Sequence, residues 1–171
     1  MADRIVEEAI TEIPEFDEAL ENVLLFALEE AKNKMATGEN IVPFSCLVVK
    51  EALFMESHPG DSAEQCFALA RHTVEGAKGA TCYAFCYDGY VDTDEGTKDA
   101  LIAEGGLPGE DTGYAVCYVY TTDDEGNVTF EEEPAYIGEA PNFMEKLKDA
   151  DSYSDSEIEK RYLSPEISEE E

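Results

Sequence analysis

Residues 80–91 read ATCYAFCYDGYV, and the alternation in them decides the fold. In an extended chain successive side chains point to opposite faces, so Thr81, Tyr83, Phe85 and Tyr87 share one face while Ala80, Cys82, Ala84 and Cys86 share the other. One face is bulky and aromatic, the other small. Asp88-Gly89 is turn chemistry, and Tyr90 and Val91 carry the chain on past a bulge or kink.

Downstream, Gly96 argues against a helix over 93–106, and the apolar run ALIA sets a strand over 98–104 instead. Residues 113–122 (GYAVCYVYTT) alternate again, with Tyr114, Val116, Tyr118 and Tyr120 on one face and Ala115, Cys117 and Val119 on the other. DDEGN at 123–127 is a hairpin turn by composition, 128–132 returns antiparallel, and Tyr136 and Ile137 belong to a last strand. Upstream, 41–51 (IVPFSCLVVKE) is a buried strand with Pro43 near its start, and 52–57 pairs with it or continues it. Asp61 or Ser62 caps a helix, Glu64 or Gln65 completing a capping box; Ala63, Cys66, Phe67, Ala70 and Val74 follow its period until Gly76 and Gly79 end it.

Residues 15–35 form the main N-terminal helix, with Phe16, Leu20, Val23, Leu24, Ala27, Leu28, Ala31 and Met35 in a broad apolar stripe. A short helix is expected over 3–13, where Ile5, Ala9 and Ile13 recur every four residues before Pro14. Grouping small with small puts Cys46, Cys82, Cys86 and Cys117 on one face, where helices lie close. The tyrosines look the other way, towards a covering C-terminal segment, a ligand or a second copy in a homodimer. The expected fold is therefore α+β: a mostly antiparallel sheet of four to six strands with two main helices packed on one face. Residues 1–150 make a single domain and 151–171 an acidic, mobile tail.

The charge bounds the partners. Against 41 acidic residues stand 11 basic ones, a formal net charge of -30, which repels nucleic acid and anionic membranes. There is no export signal and no run of apolar residues long enough to span a bilayer, so a cytoplasmic location is expected. Five widely spaced cysteines set among apolar residues read as reduced, buried thiols.

No catalytic set emerges. Cys82 and Cys86 share a strand face about 13 Å apart, too far for one metal or one disulfide. Cys66 and His72 face different ways on their helix, and His58 precedes a proline in a turn. Neither GxSxG nor GxxxxGK[ST] occurs. Two acidic loops are weak calcium or magnesium candidates, through Asp92 and Asp94 in one and Asp123 and Glu125 in the other. The first has its glycine one place early, and the second reads more simply as a hairpin tip. Arg71 and His72, with Lys50 and Lys78, form a scarce positive spot fit for a small anion.

VPFSCLVVK, YAFCYDGYV, TKDALIAEGG and VCYVYTTDDEGNVTF, in that order over about 40–138, resemble families of small bacterial α+β proteins of unknown function. The resemblance implies the strand at 98–104 and brings no activity or site residues with it. From the residues themselves, the expected function is a non-enzymatic binding or regulatory protein without a cofactor. Its acidic surface meets a basic protein partner, by nucleic-acid mimicry or inhibition among the options. Two alternatives stand beside it: a small-molecule site on the tyrosine face (Tyr83, Tyr87, Tyr118, Tyr120, with Arg71 and His72 nearby), and metal binding at the acidic loops.

Overall fold

The computed structural model describes residues 3–5, 17–154 and 157–158. In chain order the elements are β1 (Asp3–Ile5), α1 (Glu18–Ala36), β2 (Phe44–Val49), β3 (Ala52–Ser57), α2 (Ala63–Glu75), β4 (Cys82–Thr93), β5 (Gly96–Gly106), β6 (Gly113–Thr122), β7 (Val128–Phe130) and β8 (Ala135–Ala140). The class is α+β, as the alternating segments require. The expected strand at 98–104 forms within β5, and the segment 52–57 is β3, a hairpin partner of β2.

The strand β4 organises the sheet. Along one edge it pairs with β5 from Tyr83↔Gly106 to Thr93↔Gly96. Its other edge is shared: β2 takes Cys82 to Cys86 antiparallel, and β1 takes Tyr90 to Asp92 in a parallel pairing. The order continues through β6 to an outer edge that is shared too, by β7 and β8. Because strands double up on two edges, the sheet carries more than the four to six expected. Asp3–Ile5 is strand where a helix over 3–13 is expected, and residues 6–13 lie outside the described residues.

Local chemistry fixes the helices. Asp17 caps α1, its Oδ2 accepting the N–H groups of Ala19 and Leu20 at 3.0 and 3.2 Å. Ser62 caps α2 by accepting the Gln65 N–H at 3.1 Å, and Gln65 Oε1 reaches back to accept the N–H of Asp61, one residue before the cap, at 2.6 Å, a shifted form of the expected capping box. The apolar stripe of α1 is buried against Phe44, Cys46, Cys82, Ala84, Cys86, Leu101 and Ala103. Gly105 permits that approach: a Cβ there would lie 2.2 Å from the Tyr83 carbonyl oxygen and 3.0 Å from Leu24 Cδ2.

The two helices do not share a face, which corrects the expected packing. Ala70 and Val74 of α2 join Leu47, Val49, Tyr83, Phe85, Phe143 and Met144 on the side opposite α1. The reason is energetic. Burying each large apolar side chain is worth about 1.5–3 kcal/mol, and the aromatic face of β4 has three of them to cover. Phe67 of α2 meets Phe85 and Phe143 edge-on, with centroids 6.0 and 5.1 Å apart. The chain after β8 is stitched to the same face: Tyr83 Oη accepts the Phe143 N–H at 2.9 Å and donates to the Pro141 carbonyl at 3.3 Å. Of the tail expected from 151, the described part holds a 3-10 turn at Ala150–Ser152 and a buried Ile158 against Gly79; residues 159–171 lie outside the described residues. Among the described residues no helix is long and apolar enough to cross a membrane.

Candidate functional site

A concavity arises from an interruption in a strand. β7 and β8 are two halves of one antiparallel strand against β6, pairing Tyr120↔Phe130 on one side of the break and Cys117↔Ala135 on the other. Residues 131–134 (EEEP) therefore stand opposite only Tyr118 and Val119, and four residues cannot lie flat against two. The Glu131 N–H bonds to the Val119 carbonyl at 2.9 Å, and the following residues loop away from the ladder. A register shift beside Ala115 and Val116, next to Gly138 at φ +126, places Ile137 in the core on the α2 side of the sheet.

The result is a hollow of about 360 Å³, with Val91, Cys117, Val119, Ala135 and Ile137 as an apolar lining. Its polar wall comes from two separate places, the β4–β5 hairpin (Asp94, Glu95, Lys98) and the break (Glu131, Glu133). Lys98 Nζ lies 2.7 Å from Glu95 Oε1. That hydrogen bond and charge hold the Glu95 carboxyl below its ordinary range and the Lys98 ammonium above its own, with Glu131 adding to the latter.

The sequence-derived candidates fall elsewhere. The four tyrosines do not make one face: register sets Tyr87 beside Ile102 and then Cys117, and Asp88 beside Leu101 and then Tyr118. Tyr83 and Tyr87 are consequently buried on the α2 side, Tyr118 and Tyr120 on the α1 side. Each is engaged within the chain. Tyr87 donates to Glu104 Oε2 at 2.5 Å, Tyr120 donates to Asp88 Oδ1 at 2.6 Å, and Lys32 Nζ sits 4.0 Å over the Tyr118 ring. Burial, then the Asp88 charge and hydrogen bond, raise the Tyr120 hydroxyl's pKa; burial raises that of Asp88 despite Tyr120's donation. Cys117 likewise parts from Cys46, Cys82 and Cys86 and sits on the opposite face.

The basic residues are dispersed. Arg71 Nε donates to Glu75 Oε2 at 2.9 Å with its guanidinium 5.8 Å from the Phe143 ring, and His72 is exposed in the last turn of α2. Arg71 borders a hollow with Lys146, whereas Lys50 borders a different one, so no joint anion site forms from them. The acidic loops serve their own turns: Asp92 Oδ1 accepts from Thr97 Oγ1 at 2.5 Å, and Asp123 accepts the N–H groups of Glu125 and Asn127 at 2.9 and 2.8 Å. Glu125 is exposed at that tip and Asp94 joins the hollow's wall. Among the described residues no three His, Cys, Asp or Glu side chains converge as metal ligands do.

Nucleophile chemistry finds no footing in the described thiols. All five cysteines are buried and unbridged, and burial pushes Cys46 and Cys117 up to about 12 and Cys82 to about 11. His58, also buried, has Nε2 2.8 Å from Ser45 Oγ; burial lowers its pKa against an opposing pull from Glu56. The Glu131 and Glu133 wall was missed by motif search because it is not a motif. Its signal is three acids and a proline placed between two strand-forming stretches, where a ladder must break. Comparison with protein-family models, with curated proteins and with solved structures finds no match to this chain.

Proposed function

We propose that the chain is a cytosolic binding protein that engages a basic protein partner through its acidic surface, and that it works without catalysis. One observation carries this: among the described acidic residues only Glu104 is buried, so the charge is almost wholly displayed. Described cations are few, and three of them are tied up locally, in Lys32–Glu29 at 3.5 Å, Arg71–Glu75 at 2.9 Å and Lys98–Glu95 at 2.7 Å. A surface of this kind accelerates encounter with a positive partner and rejects negative ones.

The test is affinity capture from a lysate of the source organism at low salt, followed by purification of the captured protein and a titration at several salt concentrations. A basic partner whose affinity falls steeply with salt supports the proposal. A partner whose affinity ignores salt, or a capture confined to acidic proteins, refutes it.

A further inference from the structure

We propose that the hollow at the β7–β8 break is a binding site for a small organic cation, a primary amine or amidine carried on an apolar body about the size of one aromatic ring. The proposal goes beyond the protein-partner reading and does not depend on it. At about 360 Å³ the hollow falls in the size range of small-ligand pockets. Its floor of Val91, Cys117, Val119 and Ile137 offers only apolar contact, because the Cys117 thiol is buried and stays protonated. An ion without an apolar body would leave this floor unused.

The wall selects the sign. Asp94 and Glu95 stand on the β4–β5 hairpin, and Glu131 and Glu133 in the break, so two pairs of acids from distant parts of the chain border one floor. The single ammonium among them, Lys98, is held by Glu95 at 2.7 Å. An anion entering here meets four carboxylates against one cation, and a neutral apolar body fills the floor but answers none of them. An ammonium at the mouth with its hydrocarbon inside satisfies both surfaces. A charge-assisted hydrogen bond to either acid of the break then fixes its orientation.

The experiment is NMR titration of the ¹⁵N-labelled full chain at low salt with phenethylamine, 2-phenylethanol and phenylacetate, which share a ring and differ in charge. Phenethylamine is expected to shift the amides of Val91, Cys117, Val119 and Ile137 saturably. The neutral alcohol should bind about tenfold more weakly and the anion weaker still. An E131Q/E133Q variant should lose about tenfold in amine affinity. The D124N/E125Q variant removes the same formal charge at the exposed hairpin tip and should change affinity by less than about twofold.

Equal binding of amine and alcohol, equal losses in the two variants, or no saturable shift at those amides overturns the proposal. So do NOE contacts from residues 6–16 to Val119 and Ile137, which assign the hollow to the chain's own segment. Shifts there that depend on protein concentration without amine, marking a second copy as occupant, overturn it equally.

Discussion

A thiol becomes a nucleophile only where water or positive charge stabilises its anion. At Cys46, Cys82, Cys86 and Cys117 burial is the largest influence and raises all four, outweighing the Lys34 charge that pulls Cys46 and Cys86 the other way, with Cys82 raised to about 11 and Cys46 and Cys117 to about 12. Because all five cysteines are buried, they should be silent to Ellman's reagent at pH 8 in the native protein and react together in concentrated guanidinium. One thiol reacting at once in the native state contradicts this. His58 sets a pH dependence. Its folded pKa lies below the ordinary 6.5 because burial disfavours the imidazolium, so as pH falls past 6.5 the unfolded chain takes the proton first. Its contribution is complete above 6.5 and is lost as pH falls from there through the folded value. Carboxylate titration is common to the chain and an H58N variant. The stability difference between them, followed by urea denaturation from pH 8 to pH 5, should thus shift against the native histidine as pH falls; a flat difference refutes the assignment.

The turn joining β2 and β3 is two residues long, Lys50 and Glu51, with φ of 50° and 72°. Both lie in the left-handed region that two-residue hairpins demand and that side chains with a Cβ resist. Glu51→Gly should raise stability by about 0.5–1 kcal/mol, read as an increased urea midpoint at unchanged slope; a decrease shows that the glutamate's contacts outweigh the strain. This hairpin also shows what sequence could tell. Ala52–Ser57 was legible as a segment, but a Lys-Glu turn carries none of the Asn-Gly chemistry that announces a hairpin. By contrast Ser62 and Gln65 gave away the start of α2, and Gly96 gave away β5, because each acts within a few residues of itself. The grouping of Tyr83 and Tyr87 with Tyr118 and Tyr120 failed for the opposite reason. Alternation fixes faces within a strand, whereas matching faces between strands needs register. Where both faces are buried, polarity marks neither as outward. The hollow was illegible on the same grounds, since Glu131 and Lys98 meet only through pairings across β6 and β5.

At the scale of the whole molecule the charge of -30 opposes compaction. Screening shortens from about 30 Å at 0.01 M salt to about 3 Å at 1 M. The melting temperature should accordingly rise with sodium chloride over that range by about 5 °C, roughly 2 kcal/mol for a chain this long. Calorimetry checks it, and a flat or falling melting temperature means that short-range ion pairs dominate instead. The sheet also brings together parts of the chain made at different times. Residues 3–5 pair with 90–92, and the stripe of α1 rests on β4 and β5. At about 5–20 residues per second of synthesis, residues 3–5 wait roughly 4 to 17 s and α1 roughly 3 to 11 s for β4 to be made. Through that interval Leu20, Leu24 and Leu28 have no sheet to cover them, so the nascent chain offers chaperones a hydrophobic helix bordered by glutamates. That attraction ends when β4 and β5 close over it.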